Sequence, residues 1–276
     1  MGKRTSGMKV WINMPFLIQQ EKIGYLERAL LSLSRWKVDQ MRVIVFVNEA
    51  NDWLTELAYS LSTKNKDFKI EQVYVAENPL MLLWEHKKYI PEFLASGFTH
   101  FIYMDGDIEI PYKVFEYWLE TRKLFIKQGY DRFIPGTFRI ETYQGIDYAS
   151  DLTYRTEIDN LPILNIGGKW FFRPQEPFQD VSIMDKVMAK EHLESPYFHP
   201  HMDQSIHRFG FGETCISGYI LYDVPEGLNH RVLIPLDDYV KCWVYHLPAN
   251  YAANPDSEHG KIPAYNIFAR IKERIK

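Results

Sequence analysis

Between residues 10 and 104, four short apolar runs alternate with segments of helical periodicity, and this alternation restricts the fold more than any other feature of the chain. Residues 10–18 and 41–47 are rich in β-branched and aromatic side chains and read as buried strands. Between them Ile23, Leu26, Leu30, Leu33 and Trp36 recur at three- and four-residue steps, which places one apolar stripe on a helix. The pattern repeats with a helix over 53–61, a strand over 70–75, a helix over 82–94 and a strand over 99–104. Strands separated by helices form parallel sheets, whose ligands bind at the carboxyl ends of the strands.

Composition narrows the class further. Lys and Arg total 32 against 36 Asp and Glu, a net charge of −4, which gives no electrostatic footprint for nucleic acid. Cys215 and Cys242 have no metal-type spacing and make no disulfide framework, so both read as small buried hydrophobes in a reducing compartment. No run reaches the roughly 18 apolar residues that span a bilayer, and no signal-peptide core is present; a cytoplasmic location is expected. In the tail, Ile267, Phe268, Ile271 and Ile275 alternate with Arg270, Lys272, Arg274 and Lys276. That pattern suits either a helix packed on the body or a basic amphipathic helix in peripheral contact with an anionic membrane.

The chemistry-bearing feature is Tyr103-Met104-Asp105-Gly106-Asp107, where two carboxylates flank a glycine directly after the fourth strand. Hard oxygen ligands of this type suit Mg²⁺ or Mn²⁺, and Gly106 allows a tight turn and close approach of a ligand. As a bare tripeptide, a solvated Asp-Gly turn would explain the same letters.

In order and spacing the chain resembles the GT-A glycosyltransferases, which carry an Asp-x-Asp motif after a central strand. The resemblance implies an α/β fold with a Rossmann-like, mostly parallel central sheet flanked by helices. It implies a single domain over 8–276, with a nucleotide-sugar-binding half (8–111) and an acceptor-binding half (112–276). Pro15 and Phe16 stand where that family contacts the nucleoside, Asn48 where it has a residue for the base, and Lys87 where a basic residue meets the donor. Asp105, Gly106 and Asp107 would hold the cation and diphosphate, with His246 as third metal ligand from a C-terminal segment. The Pro248-Ala249-Asn250-Tyr251 stretch is similar to exostosin-like enzymes. For a base that deprotonates the acceptor, Glu213 and Asp203 compete, with Asp180 a weaker third. Glu213 is preferred because an N-cap role already explains Asp203. The usual Glu-Asp pair of inverting members is absent, so inversion and retention both stay open.

The implied reaction moves a sugar from a UDP- or GDP-sugar to a hydroxyl on a glycan, a lipid-linked glycan or a protein. Two rivals share these elements. A nucleotidyltransferase would show a Gly-rich basic loop after the first strand, which residues 14–20 lack. A non-catalytic carbohydrate-binding protein on the same fold would tolerate loss of the metal site, and the intact Asp105, Asp107 and His246 argue mildly against it.

Overall fold

The computed structural model describes residues 7–64, 67–75, 81–177, 180–200 and 211–275, with the side chains of Phe211 and Glu213 outside the described part. In chain order the first elements are β1 (Lys9–Phe16), α1 (Ile23–Leu33), β2 (Gln40–Val47), α2 (Asp52–Lys64) and β3 (Phe68–Tyr74). Next come α3 (Leu82–Glu85), α4 (Ile90–Ala95), β4 (His100–Met104), β5 (Ile108–Glu109) and α5 (Tyr112–Lys127). The strands β6 (Ile134–Pro135), β7 (Phe138–Tyr143), β8 (Ile146–Ala149), β9 (Ile163–Ile166), β10 (Lys169–Phe172) and β11 (Val181–Asp185) follow. The chain ends with α6 (Lys186–Glu194), α7 (Phe211–Ser217), β12 (Val232–Pro235), β13 (Trp243–His246) and α8 (Ala264–Glu273).

The class is the mixed α/β one expected. Two compact units share the chain: Met1–Asp107 with Asp180–Tyr222, and Ile108–Gln179 with Asp223–Lys276. The segment after Asp180 thus returns to the first unit, a path that a division at residue 111 does not express.

In the first unit a five-stranded sheet runs in the order β11-β4-β1-β2-β3. The pairs β4–β1, β1–β2 and β2–β3 are parallel. Pairing Asn13 with Tyr103 and Phe16 with Val47 brings the carboxyl ends of three strands together. The fifth strand, β11, runs antiparallel to β4, with Val181 opposite Met104. Val10, Val43, Val45, Phe101 and Ile102 are fully buried, as strands covered on both faces require. The helix expected over 82–94 is interrupted: α3 gives way to a 3₁₀ turn over His86–Tyr89 before α4 starts, with Pro91 in its first turn. Proline lacks the N–H that a continuous helix needs and is tolerated only near a helix start.

The second unit holds two four-stranded sheets, β6-β12-β10-β9 and β5-β13-β7-β8. Phe125 of α5 packs with Phe133, Ile166, Phe171 and Leu233. The β7–β8 hairpin closes on Gln144 and Gly145, both at positive φ (50° and 77°), as a two-residue turn matching strand twist demands. Ala264, Ile267, Phe268 and Ile271 of α8 are fully buried, and the Phe268 ring stacks 4.0 Å from that of Tyr239. The apolar face that a membrane would take up is therefore spent on packing, which removes the basis for a peripheral contact through this helix. Among the described residues no helix is long and apolar enough to cross a membrane.

Candidate functional site

Asp105 follows the last residue of β4, where the sheet ends and the backbone must turn. Its N–H reaches the Asp180 carbonyl at 3.3 Å. Asp180 itself takes a left-handed conformation (φ 50°) as the chain enters β11, an uncommon state for a residue with a Cβ. Gly106 is buried against Phe16 at the end of β1: a Cβ on Gly106 would lie 2.4 Å from Phe16 Cδ2 and 3.1 Å from its Cγ. The glycine is thus required by close packing of one strand end on another. Asp105 and Asp107 on either side are half-buried.

Tyr103, 1% exposed, points its hydroxyl along the strand and donates to Asp105 Oδ1 at 2.8 Å. Burial first, then the charge of Asp105, the Cys215 thiol and Asp107, keep the phenol protonated far above its ordinary range. It therefore acts as a fixed donor that orients one carboxylate, occupying one of roughly four acceptor positions.

Behind Tyr103 lies a set of buried polar groups from α3, the 3₁₀ turn and α7. The His86 ring is 5.1 Å from that of Tyr103, and its Nδ1 donates to the Leu83 carbonyl at 2.8 Å. Burial, reinforced by the adjacent Lys87 charge, lowers His86 to about 3, so the ring is neutral. Cys215 donates from Sγ to the same carbonyl at 3.0 Å, and burial pushes its thiol up to about 12. Both cysteines are free and buried, in keeping with their reading as small hydrophobes.

The remaining expected residues fall as follows. Lys87 is 3% exposed; its Nζ donates to the Tyr197 carbonyl at 2.7 Å and lies 4.1 Å above the Trp84 ring. Burial lowers it to about 8. Its ammonium thus ties distant segments of the first unit together. Pro15 and Phe16 occupy the last two positions of β1, with the Phe16 ring spent against Gly106. Asn48, just past β2, accepts the Ile18 N–H on Oδ1 at 2.7 Å and so joins the exits of β1 and β2. Glu213 falls in α7, while Asp203 lies outside the described residues.

In the second unit His246 ends β13 and is 8% exposed. Its Nδ1 is 2.6 Å from Oε1 of Glu141, a fully buried residue of β7. The other oxygen, Oε2, accepts the N–H groups of Tyr251 and Ala252 at 3.0 and 2.6 Å. On the same strand Arg139 pairs with Asp151 at 2.5 Å. Burial raises the Asp151 carboxyl, against the opposing pull of Arg139, His246 and His259.

Tyr103 and Glu141 are the two site residues that sequence reasoning passed over. Tyr103 had a visible signal, a tyrosine two residues before the first carboxylate on the same strand face. Glu141 had a weaker one, an acid between Ile140 and Thr142 in a short strand.

Among the described residues, no three His, Cys, Asp or Glu side chains already converge on a metal-sized space. The pair at the β4 turn is of the right donor type for a hard divalent cation, and Gly106 leaves the intervening backbone without a side chain.

No protein-family model matches the chain, and no curated protein matches it by sequence. Solved structures give partial likenesses. S. aureus TarS is 9% identical, with 97% of this chain covering 39% of that one at a TM-score of 0.41. The 1–349 form of S. aureus TarS is 12% identical, with coverage of 97% and 71% and a TM-score of 0.46. A 4-diphosphocytidyl-2C-methyl-D-erythritol synthase is 14% identical, with coverage of 68% and 79% and a TM-score of 0.32. The chain spans about two-fifths of the first of these.

Proposed function

We propose that this chain is a glycosyltransferase of the GT-A type that moves a sugar from a nucleoside-diphosphate sugar to a hydroxyl acceptor on a glycan or glycolipid. The observation that supports it most is the turn after β4, where two carboxylates flank a glycine that must be glycine, at the carboxyl end of a central parallel strand. Asp105 and Asp107 would hold Mn²⁺ or Mg²⁺. When bound, such a cation supplies Lewis-acid stabilisation of the leaving diphosphate.

The chain's own residues do the rest. Tyr103 fixes the rotamer of Asp105, so one carboxylate is oriented before any ligand arrives. Gly106 lets the turn that carries both carboxylates pack directly on the Phe16 ring. Pro15, Phe16 and Asn48 line the neighbouring strand ends in this reading and would bound the nucleoside, with Asn48 held by Ile18. Lys87 supports the site from within the core. The expectation of a cation-ligand role for His246, which belongs to the second unit, rests on sequence order alone. Glu213, ahead of Asp203, is the proposed base for an inverting reaction, worth roughly 10²–10⁴-fold in rate; a retaining reaction needs none.

Product analysis tests the reading. Incubation with UDP- and GDP-sugars, glycan acceptors and Mn²⁺ should release nucleoside diphosphate, and Asp107→Ala should lower that rate by about 10²–10³-fold, as loss of one preorganised electrostatic group does. Release of pyrophosphate from a nucleoside triphosphate and a sugar phosphate would replace this reading with nucleotidyl transfer.

A further inference from the structure

The five-stranded sheet of the first unit ends on β3, and among the described residues no strand pairs with its outer side. Backbone polar groups alternate between the two sides of a strand. The Asp67 carbonyl accepts the Met41 N–H at 2.7 Å and the Val75 N–H donates to the Val47 carbonyl at 2.9 Å, so the odd-numbered residues turn towards β2. The N–H and C=O groups of Phe68, Ile70 and Gln72 therefore point out of the sheet. A groove of about 630 Å³ lies here, lined by Ala58 and Tyr59 of α2 and by residues 69–72.

An edge of this kind accepts a further extended segment, and proteins commonly guard it with charged side chains. The charges on β3 are Lys69 and Glu71, both exposed, opposite in sign and placed one on each side of Ile70. Opposite signs make the edge complementary to itself. A second β3 laid antiparallel with Ile70 facing Ile70 sets Phe68 against Gln72 and Lys69 against Glu71, each pair occurring twice. Residues 68, 70 and 72 of both copies then meet through their outward-facing backbone groups. The two Lys69–Glu71 pairs fall on the intervening positions, where facing Cβ atoms approach to roughly 4.5–5.5 Å. Moving the second strand by two residues keeps backbone pairing but sets Glu71 against Glu71 or Lys69 against Lys69. Like charges thus disfavour the neighbouring registers. On the inner side Oε1 of Glu71 pairs with Arg42 of β2 at 2.5 Å, which holds this carboxylate on the face that Lys69 shares.

We propose that the β3 edge is a homodimer interface, in which a second copy of this chain adds its own β3 antiparallel and in register about Ile70. The two five-stranded sheets join into one, related by a two-fold axis through the groove.

Sedimentation of the full chain across a wide range of concentration tests the proposal. The wild type should form a dimer. Lys69→Glu and Glu71→Lys should each weaken it by roughly 10–100-fold, because each turns two attractive pairs into repulsive ones. An equimolar mixture of the two variants should dimerise again, since every facing pair is then opposite in sign; this recovery also shows that both variants are folded. In the monomeric Lys69→Glu chain the Ile70 and Gln72 amides should exchange rapidly by NMR, and in the wild-type dimer slowly. A dimer that neither variant weakens, or a mixture that does not re-associate, overturns the interface. A wild type that stays monomeric with both amides exchanging rapidly overturns self-pairing and leaves the edge to a different chain. Slow exchange of both amides in the monomer shows another segment of the same chain covering the edge, and overturns the proposal as well.

Discussion

The two units bury polar chemistry in opposite ways. Beside Asp105 in the first unit, His86 and Tyr103 are buried and kept neutral, the Cys215 thiol is pushed up to about 12, and Lys87 is lowered to about 8. Around His246 in the second unit, Arg139 faces Asp151 and Glu141 faces His246, each group close to a partner of opposite polarity. Burial without a counter-charge drives a group towards its uncharged form, whereas a facing partner opposes that shift, as Arg139 does at Asp151 without cancelling it. The second arrangement builds an oriented imidazole.

This contrast is broken or sharpened first by deletion. Glu141→Ala strips His246 Nδ1 and two backbone N–H groups of their acceptor, and should cost about 3–5 kcal/mol, as loss of one partner from a buried pair does. His86→Leu removes one neutral hydrogen bond and should cost about 1–3 kcal/mol. Urea unfolding of both variants measures the difference, and equal costs would dissolve the distinction between neutralised and paired burial.

The pH dependence comes next. The folded pKa of His86, about 3, lies below its ordinary 6.5. As pH falls from 6.5 towards 3 the unfolded chain gains a proton that the folded one refuses, so stability is lost. Lys87, about 8 against 10.5, has the same sign. Between those values the unfolded chain keeps a proton the folded one has released, so stability rises with pH by roughly 3 kcal/mol. Lys87→Met should flatten the alkaline window, and His86→Leu the acidic one, in unfolding free energies measured across pH.

Gly106→Ala is the smaller perturbation, about 1–3 kcal/mol, because its Cβ would overlap Phe16. Phe16→Leu in the same chain should recover part of that loss, since the clash lies with the ring.

Much of the first unit was legible in sequence because its strands are local apolar runs and its helices carry their own periodicity. Four strands, α1 and α2 stand within a few residues of where the pattern puts them. The antiparallel β11 was not legible, since its pairing with β4 joins segments some 80 residues apart through backbone contacts that no side-chain pattern announces. The break at Pro91 shows a local signal outweighed by apolar spacing.

The carboxylate turn was readable from its letters, but its requirement for glycine depends on Phe16, which only the sheet brings near. Lys87 was read as a basic residue placed to meet the donor. Its burial depends on the Tyr197 carbonyl, 110 positions along the chain. His246 was visible as a histidine, whereas its orientation comes from Glu141, 105 positions earlier.

The claim that Asp105-Gly106-Asp107 carries a cation and a nucleotide-sugar is tested most directly by thermal unfolding with UDP- and GDP-sugars, with and without Mn²⁺. Ligand that binds only the native state raises its apparent stability, by about 2.7 kcal/mol at a hundredfold excess over Kd. The account predicts a Mn²⁺-dependent rise in Tm for at least one nucleotide-sugar that Asp107→Ala abolishes. No rise with any nucleotide-sugar in the presence of metal, or a rise that Asp107→Ala leaves intact, would contradict it.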